Sequence, residues 1–301
     1  MAETRIGFIG LGNMGGRMAR CITGAGDALL GFDPRAAAID EAGAIPAETA
    51  AAVVAGSDVV LLSLPDSKVV EAVVNGDPAF LASVREGQLI VDLSTAAPES
   101  TRRIAADLAA RGATYLDAGI SGGAAAAERG TLTLMVGGDA DALERVRPVL
   151  DRFSAQVFLC GASGAGHTVK LLNNFLNASA LSATAEVMVA AKKADLDLAT
   201  VLDVLNASSG VNFATLNRFP KIITGDYLKG GLTNSLMLKD VTLYLELLAE
   251  LGVPSLNAPG PVAAFGLARA LGYADEISNT VVDAIGDVSG GVRLHDQEDR
   301  A

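Results

Sequence analysis

Apolar and polar positions follow two different rhythms along this chain, and the change of rhythm divides it. In the first half, short and largely apolar runs recur at 6–9, 28–32, 58–64, 88–93, 114–118 and 157–160. Runs of this length, flanked by Gly, Pro, Asp or Ser, read as strands buried on both faces. Between them lie stretches of helical period, clearest over 66–74 and over the charged segment 98–111. Strand–helix alternation of this kind predicts a doubly wound, mainly parallel sheet. The segment 131–138 instead alternates polar and apolar residues, which predicts a strand with one face in solvent.

Strand signals stop after Cys160, and from Gly164 onward nearly every segment has helical period. We therefore expect an α/β domain of Rossmann type over 1–163 and an all-α domain over 164–301, joined by the glycine-rich stretch 161–166. The longest apolar region, 171–191, is broken by Asn173, Asn174, Asn177 and Glu186, so it predicts a long buried helix, not a membrane span. Further helices are expected over 199–205 and from Leu236, with a polar break over 208–212. Pro259 and Pro261 predict a loop ahead of a final helix over 262–271, and the polar tail past Gly290 predicts a frayed end.

Composition narrows the function classes. Half of the 301 residues are apolar and only 4% are aromatic, which suits close-packed helices better than a sandwich. The net charge of −12 argues against a nucleic-acid-binding surface. Cys21 and Cys160 are the only cysteines and form no C-x-x-C pair, so a reducing compartment, the cytoplasm, is expected. The first strand starts at once, so no signal peptide is expected. His167 and His295 have no metal-ligand company, and no Ser-His-Asp arrangement suggests itself.

Chemistry enters at the first strand. Gly10-Leu11-Gly12-Asn13-Met14-Gly15 gives G-x-G-x-x-G between an apolar strand and a helix, the context in which the spacing signifies dinucleotide binding. Gly10 serves the tight turn, Gly12 the approach of a pyrophosphate, and Gly15 the packing of the helix on the sheet. Asp33 ends the second strand, where a carboxylate bonds the adenosine ribose and repels a 2′-phosphate, so NAD is favoured. Arg35 offers the alternative of holding that phosphate in NADP. Leu64-Pro65 and Ser94-Thr95 stand at strand carboxyl ends, where ligands bind in such sheets.

Two further features carry candidate chemistry. Ser121, Gly122 and Gly123 follow a strand and read either as a carboxylate-binding loop of exposed N–H groups or as a plain glycine turn. Lys170, Asn174 and Asn177 lie at i, i+4 and i+7 and share one stripe of a helix. A lysine amid Leu, Val and Phe is either a desolvated proton donor and acceptor or a snorkelling stem with a solvated head. Lys239 and Asp240, adjacent in an apolar run, either border a cleft or sit in a solvated first turn.

Taken together these motifs resemble the β-hydroxyacid dehydrogenase family, over nearly the whole chain from Arg5 to Gly290. The resemblance rests on Gly10 to Gly15, Asp92-Leu93-Ser94-Thr95, the stretches 117–123 and 161–174, and 236–240. It implies reversible hydride transfer between NAD(P) and a small β-hydroxy acid, with Lys170 as general acid/base and Asn174 holding the substrate or orienting the lysine. It implies further that Ser121, Gly122 and Gly123 bind the substrate carboxylate, that Thr95 lies against nicotinamide and substrate, and that Lys239 and Asp240 close the site, Lys239 touching the cofactor. A homodimer or homotetramer built through the helical domain is implied too. The chain departs from the family at Gly119-Ile120, where a Pro-Val pair is common, and at Leu232, where an aromatic residue is common. Two rival readings are an imine reductase on the same fold and a non-catalytic NAD-binding module.

Overall fold

The computed structural model describes residues 4–228 and 230–295. The chain forms two compact units, Met1–Lys170 and Leu171–Ala301. The first is built on strands β1 (Ile6–Ile9), β2 (Leu29–Phe32), β3 (Ile45–Pro46), β4 (Val59–Leu62), β5 (Leu89–Asp92), β6 (Thr114–Ser121), β7 (Leu132–Gly137) and β8 (Ser154–Gly161). Its connecting helices are α1 (Gly15–Gly24), α2 (Ala36–Glu41), α3 (Ala50–Gly56), α4 (Ser67–Val74), α5 (Pro78–Ser83), α6 (Pro98–Ala109), α7 (Gly123–Glu128) and α8 (Ala140–Leu150). The sheet order is β3-β2-β1-β4-β5-β6-β7-β8. All neighbours are parallel except β6 and β7.

Both faces of the sheet are covered, which is why its strands read as largely apolar runs. Along β4, Val59 and Leu61 join the core with Phe8, Met18, Leu116 and Phe153. Val60 and Leu62 join the opposite core with Ile9, Val54, Phe80 and Ile104. This is the period-two division a pleated strand imposes. The strand order reverses between β1 and β4, so a ligand crevice opens beyond their carboxyl ends.

Two expectations in this unit need correction. Residues 119–121 are not loop: β6 runs on to Ser121, pairing Gly119 with Met135 and Ser121 with Thr133. Nor is β7 half in solvent. Apart from Thr133 it is buried, because β6 and β8 flank it and Leu132, Leu134 and Val136 enter the core. The edge is β8 instead, where Phe158 is 53% exposed.

Helix α9 (Ala165–Lys193) starts in the first unit and continues into the second. The second unit adds α10 (Leu198–Asn206), α11 (Phe213–Asn217), α12 (Phe219–Ile222), α13 (Asn234–Leu251), α14 (Pro259–Ala270) and α15 (Val281–Val288). Its core gathers Leu181, Met188, Phe219, Met237 and Phe265, and Phe175 stacks on Tyr244 with centroids 4.0 Å apart. Among the described residues no helix is long and apolar enough to cross a membrane.

Three more expectations are overturned here. Pro259 and Pro261 do not flank a loop; they lie in the first turn of α14, where the fixed φ of proline suits a helix start. The last helix is α15, not 262–271. The segment after Gly290 is tied down as far as His295: Leu294 is buried in the helical core, Arg293 pairs with Asp287, and His295 meets the Tyr227 hydroxyl. The remainder of the expected frayed tail, 296–301, lies outside the described residues.

Candidate active site

The turn from β1 into α1 is shaped by glycines with separate duties. Gly10 has φ +89°, and a Cβ there would come within 2.3 Å of the Ser63 carbonyl oxygen. A Cβ on Gly15 would stand 1.9 Å from the Gly10 carbonyl oxygen, so the helix start rests directly on the turn. Gly12 differs: a Cβ would meet nothing nearer than the Arg35 guanidinium at 3.7 Å. No packing within the protein requires glycine at that position, which is what a backbone reserved for a close-approaching phosphate looks like. Helix α1 has no side-chain cap and no acidic residue in its first turn, leaving its N–H groups and dipole to an anion.

Asp33, nearly buried, fastens this turn to the end of β2. Its Oδ2 accepts from Leu11 N–H at 2.9 Å, and its Oδ1 from Arg35 N–H at 2.9 Å. An ionised carboxylate has about four acceptor positions, so capacity remains for ribose hydroxyls. Arg35 is mostly exposed and turns its Nε back onto Asp33 at 3.3 Å. Asn13 is exposed and Met14 half-buried on the rim. The residues present therefore fit a dinucleotide.

The other predicted rim residues are tied together. Leu64 N–H, preceding the exposed Pro65, donates to Ser94 Oγ at 2.9 Å, and Ser94 N–H donates to Asp92 Oδ1. Tyr115 donates its hydroxyl to Asp92 Oδ2 at 2.7 Å, and burial beside that carboxylate drives the phenol well above its usual range. Thr95 follows, half-buried.

Ser121 ends β6, half-buried, and the exposed Gly122 and Gly123 turn away with φ of +125° and +68°. Gly119 and Ser121 share a face of the strand, being two residues apart. On that face stands the stem of Lys170, a residue only 9% exposed. A Cβ on Gly119 would lie 2.5 Å from Lys170 Cβ. The glycine that replaces the common family proline is thus the one residue type that lets the lysine stem come this close to the strand.

Sequence reasoning missed what holds Lys170 there. Asp117, fully buried on β6, accepts from Gly164 N–H (2.7 Å) and His167 N–H (2.8 Å), capping the start of α9. Gly166 presses on β6 and β7; its Cβ would stand 2.3 Å from the Met135 carbonyl oxygen. His167, fully buried, shares a hydrogen bond with Thr101 Oγ1 through Nδ1. The signal available beforehand was an aspartate inside an apolar strand, which Asp117 shares with Asp92.

In the helical unit, Asn174 is buried and donates to Asp240 Oδ2, while Lys239 Nζ lies 3.0 Å from Asp240 Oδ1. Asp240 is buried in the second turn of α13, so the alternative of a solvated first turn is set aside. Asn177 Oδ1 accepts from Arg218, a residue that sequence reasoning did not single out. Among the described residues there is no cluster suited to hold a metal.

Comparison with known proteins follows this geometry. The family model described as "NAD binding domain of 6-phosphogluconate dehydrogenase" matches residues 5–161. The one described as "NAD-binding of NADP-dependent 3-hydroxyisobutyrate dehydrogenase" matches 164–283. A 2-(hydroxymethyl)glutarate dehydrogenase of Eubacterium barkeri is 36% identical over 281 residues, spanning 92% of this chain and 93% of its own. A 3-hydroxyisobutyrate dehydrogenase of Pseudomonas aeruginosa is 40% identical over 252 residues, spanning 80% and 84%. The structure of a Mycobacterium tuberculosis 3-hydroxyisobutyrate dehydrogenase with L-serine superposes with a TM-score of 0.84 at 31% identity, covering 94% of this chain and 99% of that one. An imine reductase from Pseudomonas sp., at 19% identity and TM-score 0.64, shares the fold alone.

Proposed function

The chain belongs to the β-hydroxyacid dehydrogenase family, NAD(P)-dependent oxidoreductases that act on a hydroxyl group, and on that premise we propose which of its residues carry the chemistry. The substrate is a small β-hydroxy acid. Lys170 is the general acid/base: its Nζ, as neutral amine, takes the hydroxyl proton in oxidation and, as ammonium, returns a proton in reduction. Ser121 and the N–H groups of Gly122 and Gly123 bind the substrate carboxylate. Thr95 borders nicotinamide and substrate, Asn174 orients the reacting group, Asp240 fixes Asn174, and Lys239 reaches the cofactor. A bound nicotinamide supplies or accepts the hydride. Asp33 directs the preference to NAD over NADP.

The observation that carries this reading is the seat of Lys170, a nearly buried lysine stem on the strand face that also bears Ser121. The test is Lys170→Ala. Turnover of hydroxy acids with NAD, followed as NADH absorbance, should fall by about 10²–10⁴-fold, the usual worth of a positioned proton carrier. NAD affinity should stay within twofold of wild type. Turnover within tenfold of wild type removes Lys170 from the mechanism.

The domain boundary proposed is at 163/164. A homodimer or homotetramer is proposed, supported by exposed apolar side chains on the helical unit such as Leu176, Phe213 and Leu256. The cytoplasm is the proposed compartment, supported by two free cysteines.

A further inference from the structure

Helix α1 carries Arg17 in its first turn, and α7 carries Glu128 as its last residue. A cation at the start of a helix and an anion at its end both oppose the helix dipole. Each charge is met from the other helix instead. Arg17 Nε lies 3.1 Å from Glu128 Oε2, and Arg20 Nη2 lies 2.9 Å from the same oxygen. Beneath these pairs the helices touch directly. The Cys21 thiol donates to the Ala127 carbonyl at 3.3 Å, and Met18, Ile22, Ala126 and Ala127 share one core.

The two arginines differ in one respect. Arg17 Nη1 also donates to the main-chain oxygen and to Oδ1 of Asn13, inside the glycine turn. Among the described residues Arg20 makes no bond to that turn; its partner is Glu128. Arg17 therefore spans from the turn kept open for a pyrophosphate to the helix that begins at Gly123. That helix is closed tightly on the turn before it: a Cβ on Gly122 would stand 2.6 Å from Ala126 Cβ, so a shift of α7 passes on to Gly122 and Gly123. All of these residues lie in the first unit. Both ion pairs are partly exposed, and such pairs are weak on their own. A phosphate that orders Asn13 also orders Arg17, and a second ligand that needs α7 in place then loses less conformational freedom on binding. We propose that Arg17 is a positioning residue that couples cofactor to substrate. Pyrophosphate at the glycine turn steadies Arg17 through Asn13, Arg17 steadies α7 through Glu128, and the turn at 121–123 then holds the substrate carboxylate more tightly. The inference rests on the reading of Ser121, Gly122 and Gly123 as the carboxylate site.

ADP-ribose supplies the test, because it carries the pyrophosphate but no nicotinamide to touch the substrate. By isothermal titration, wild type saturated with ADP-ribose should bind 3-hydroxyisobutyrate at least about fivefold more tightly than the unliganded protein, the low end of coupling between sites. Arg17→Met and Glu128→Gln should each bring that ratio below about twofold. Arg20→Met, which loses an ion pair to Glu128 but no bond to the turn, should keep it. Hydrogen exchange gives a second reading: ADP-ribose should protect amides over 122–128 in wild type and in Arg20→Met, and not in Arg17→Met. A wild-type ratio near one overturns the proposal and leaves Lys170 untouched. A ratio unchanged in Arg17→Met overturns it too. So does an equal fall in Arg17→Met and Arg20→Met, which would make the pair a plain clamp between helices. Should Arg17→Met not fold, Glu128→Gln against Arg20→Met decides by the same ratios. If wild type neither binds 3-hydroxyisobutyrate nor oxidises it with NAD, the functional reading itself falls, and this inference with it.

Discussion

Replacing Asp117 by asparagine tests how the catalytic lysine is held. Asp117 is fully buried, and its two oxygens each receive one N–H from the start of α9, Gly164 at 2.7 Å and His167 at 2.8 Å. The first N–H groups of a helix have no partner within it, so these bonds have no local substitute. Asparagine offers one oxygen and one NH2 group. In either orientation one backbone N–H then faces another donor, and the negative charge at the positive helix end is gone. An orphaned buried donor costs about 1–3 kcal/mol, and the lost charge–dipole attraction costs up to about 2 kcal/mol more. The expected loss is therefore about 1–5 kcal/mol, a large part of the roughly 5–15 kcal/mol that typically holds a protein folded. The chain contains no tryptophan, so urea unfolding is best followed by far-UV circular dichroism. Hydrogen exchange localises the effect: amides over 164–170 should lose protection by at least about fivefold, the ratio that about 1 kcal/mol implies. Asp139→Asn is the control, since Asp139 caps the surface helix α8 through Ala142 N–H alone. That variant should lose about 1 kcal/mol or less. A loss under about 0.5 kcal/mol in Asp117→Asn, or unchanged exchange over 164–170, would refute the capping argument.

The other expectations follow from neighbouring geometry. Gly12→Ala should fold as wild type, because its methyl enters open space, yet bind NAD at least about tenfold more weakly. Gly15→Ala should lose about 1–3 kcal/mol of stability, because its methyl meets the Gly10 carbonyl; isothermal titration and urea melts separate the two, and equal behaviour contradicts the division of roles. Gly119→Ala pushes against Lys170 Cβ and should cut kcat by about 10- to 100-fold with NAD affinity unchanged; an unaltered kcat shows that the close seat is irrelevant. Hydrogen bonding from Arg5 holds the Asp58 carboxyl at about 2, below its ordinary 3.8. A depressed acid stabilises above its unfolded value, so this contribution is present at neutral pH and lost as pH falls from about 4 towards 2. Both side chains are well exposed, which limits it to about 1 kcal/mol or less. Arg5→Ala should accordingly weaken the protein at pH 7 and hardly at all at pH 2, and the same loss at both pH values would contradict the linkage.

What could be read directly was whatever a few neighbouring residues encode. The β1–α1 turn was legible because Gly10, Gly12 and Gly15 each answer a local need of strand, phosphate or helix. The buried strands of the parallel sheet were legible because covering both faces leaves an unbroken apolar run, as at Val59–Leu62. The stripe of Lys170, Asn174 and Asn177 needed only the helical repeat. Contacts between distant segments were not legible. Whether residues 119–121 were loop or strand depended on β7 arriving antiparallel, and nothing local announces a pairing partner. Asp117 looks like a polar fault in an apolar run until a helix start some fifty residues later meets it. Asn174 and Asp240, 66 positions apart, are unremarkable singly and satisfy each other only when folded. Arg218 carries no local signature, and its surroundings of Asn177, Asn279 and Phe213 come from three separate segments. Periodicity and turn chemistry are properties of adjacent residues and travel with the sequence. Burial of a charge, the partner that neutralises it and the room beside a glycine are properties of tertiary neighbours, so only the folded chain decides them.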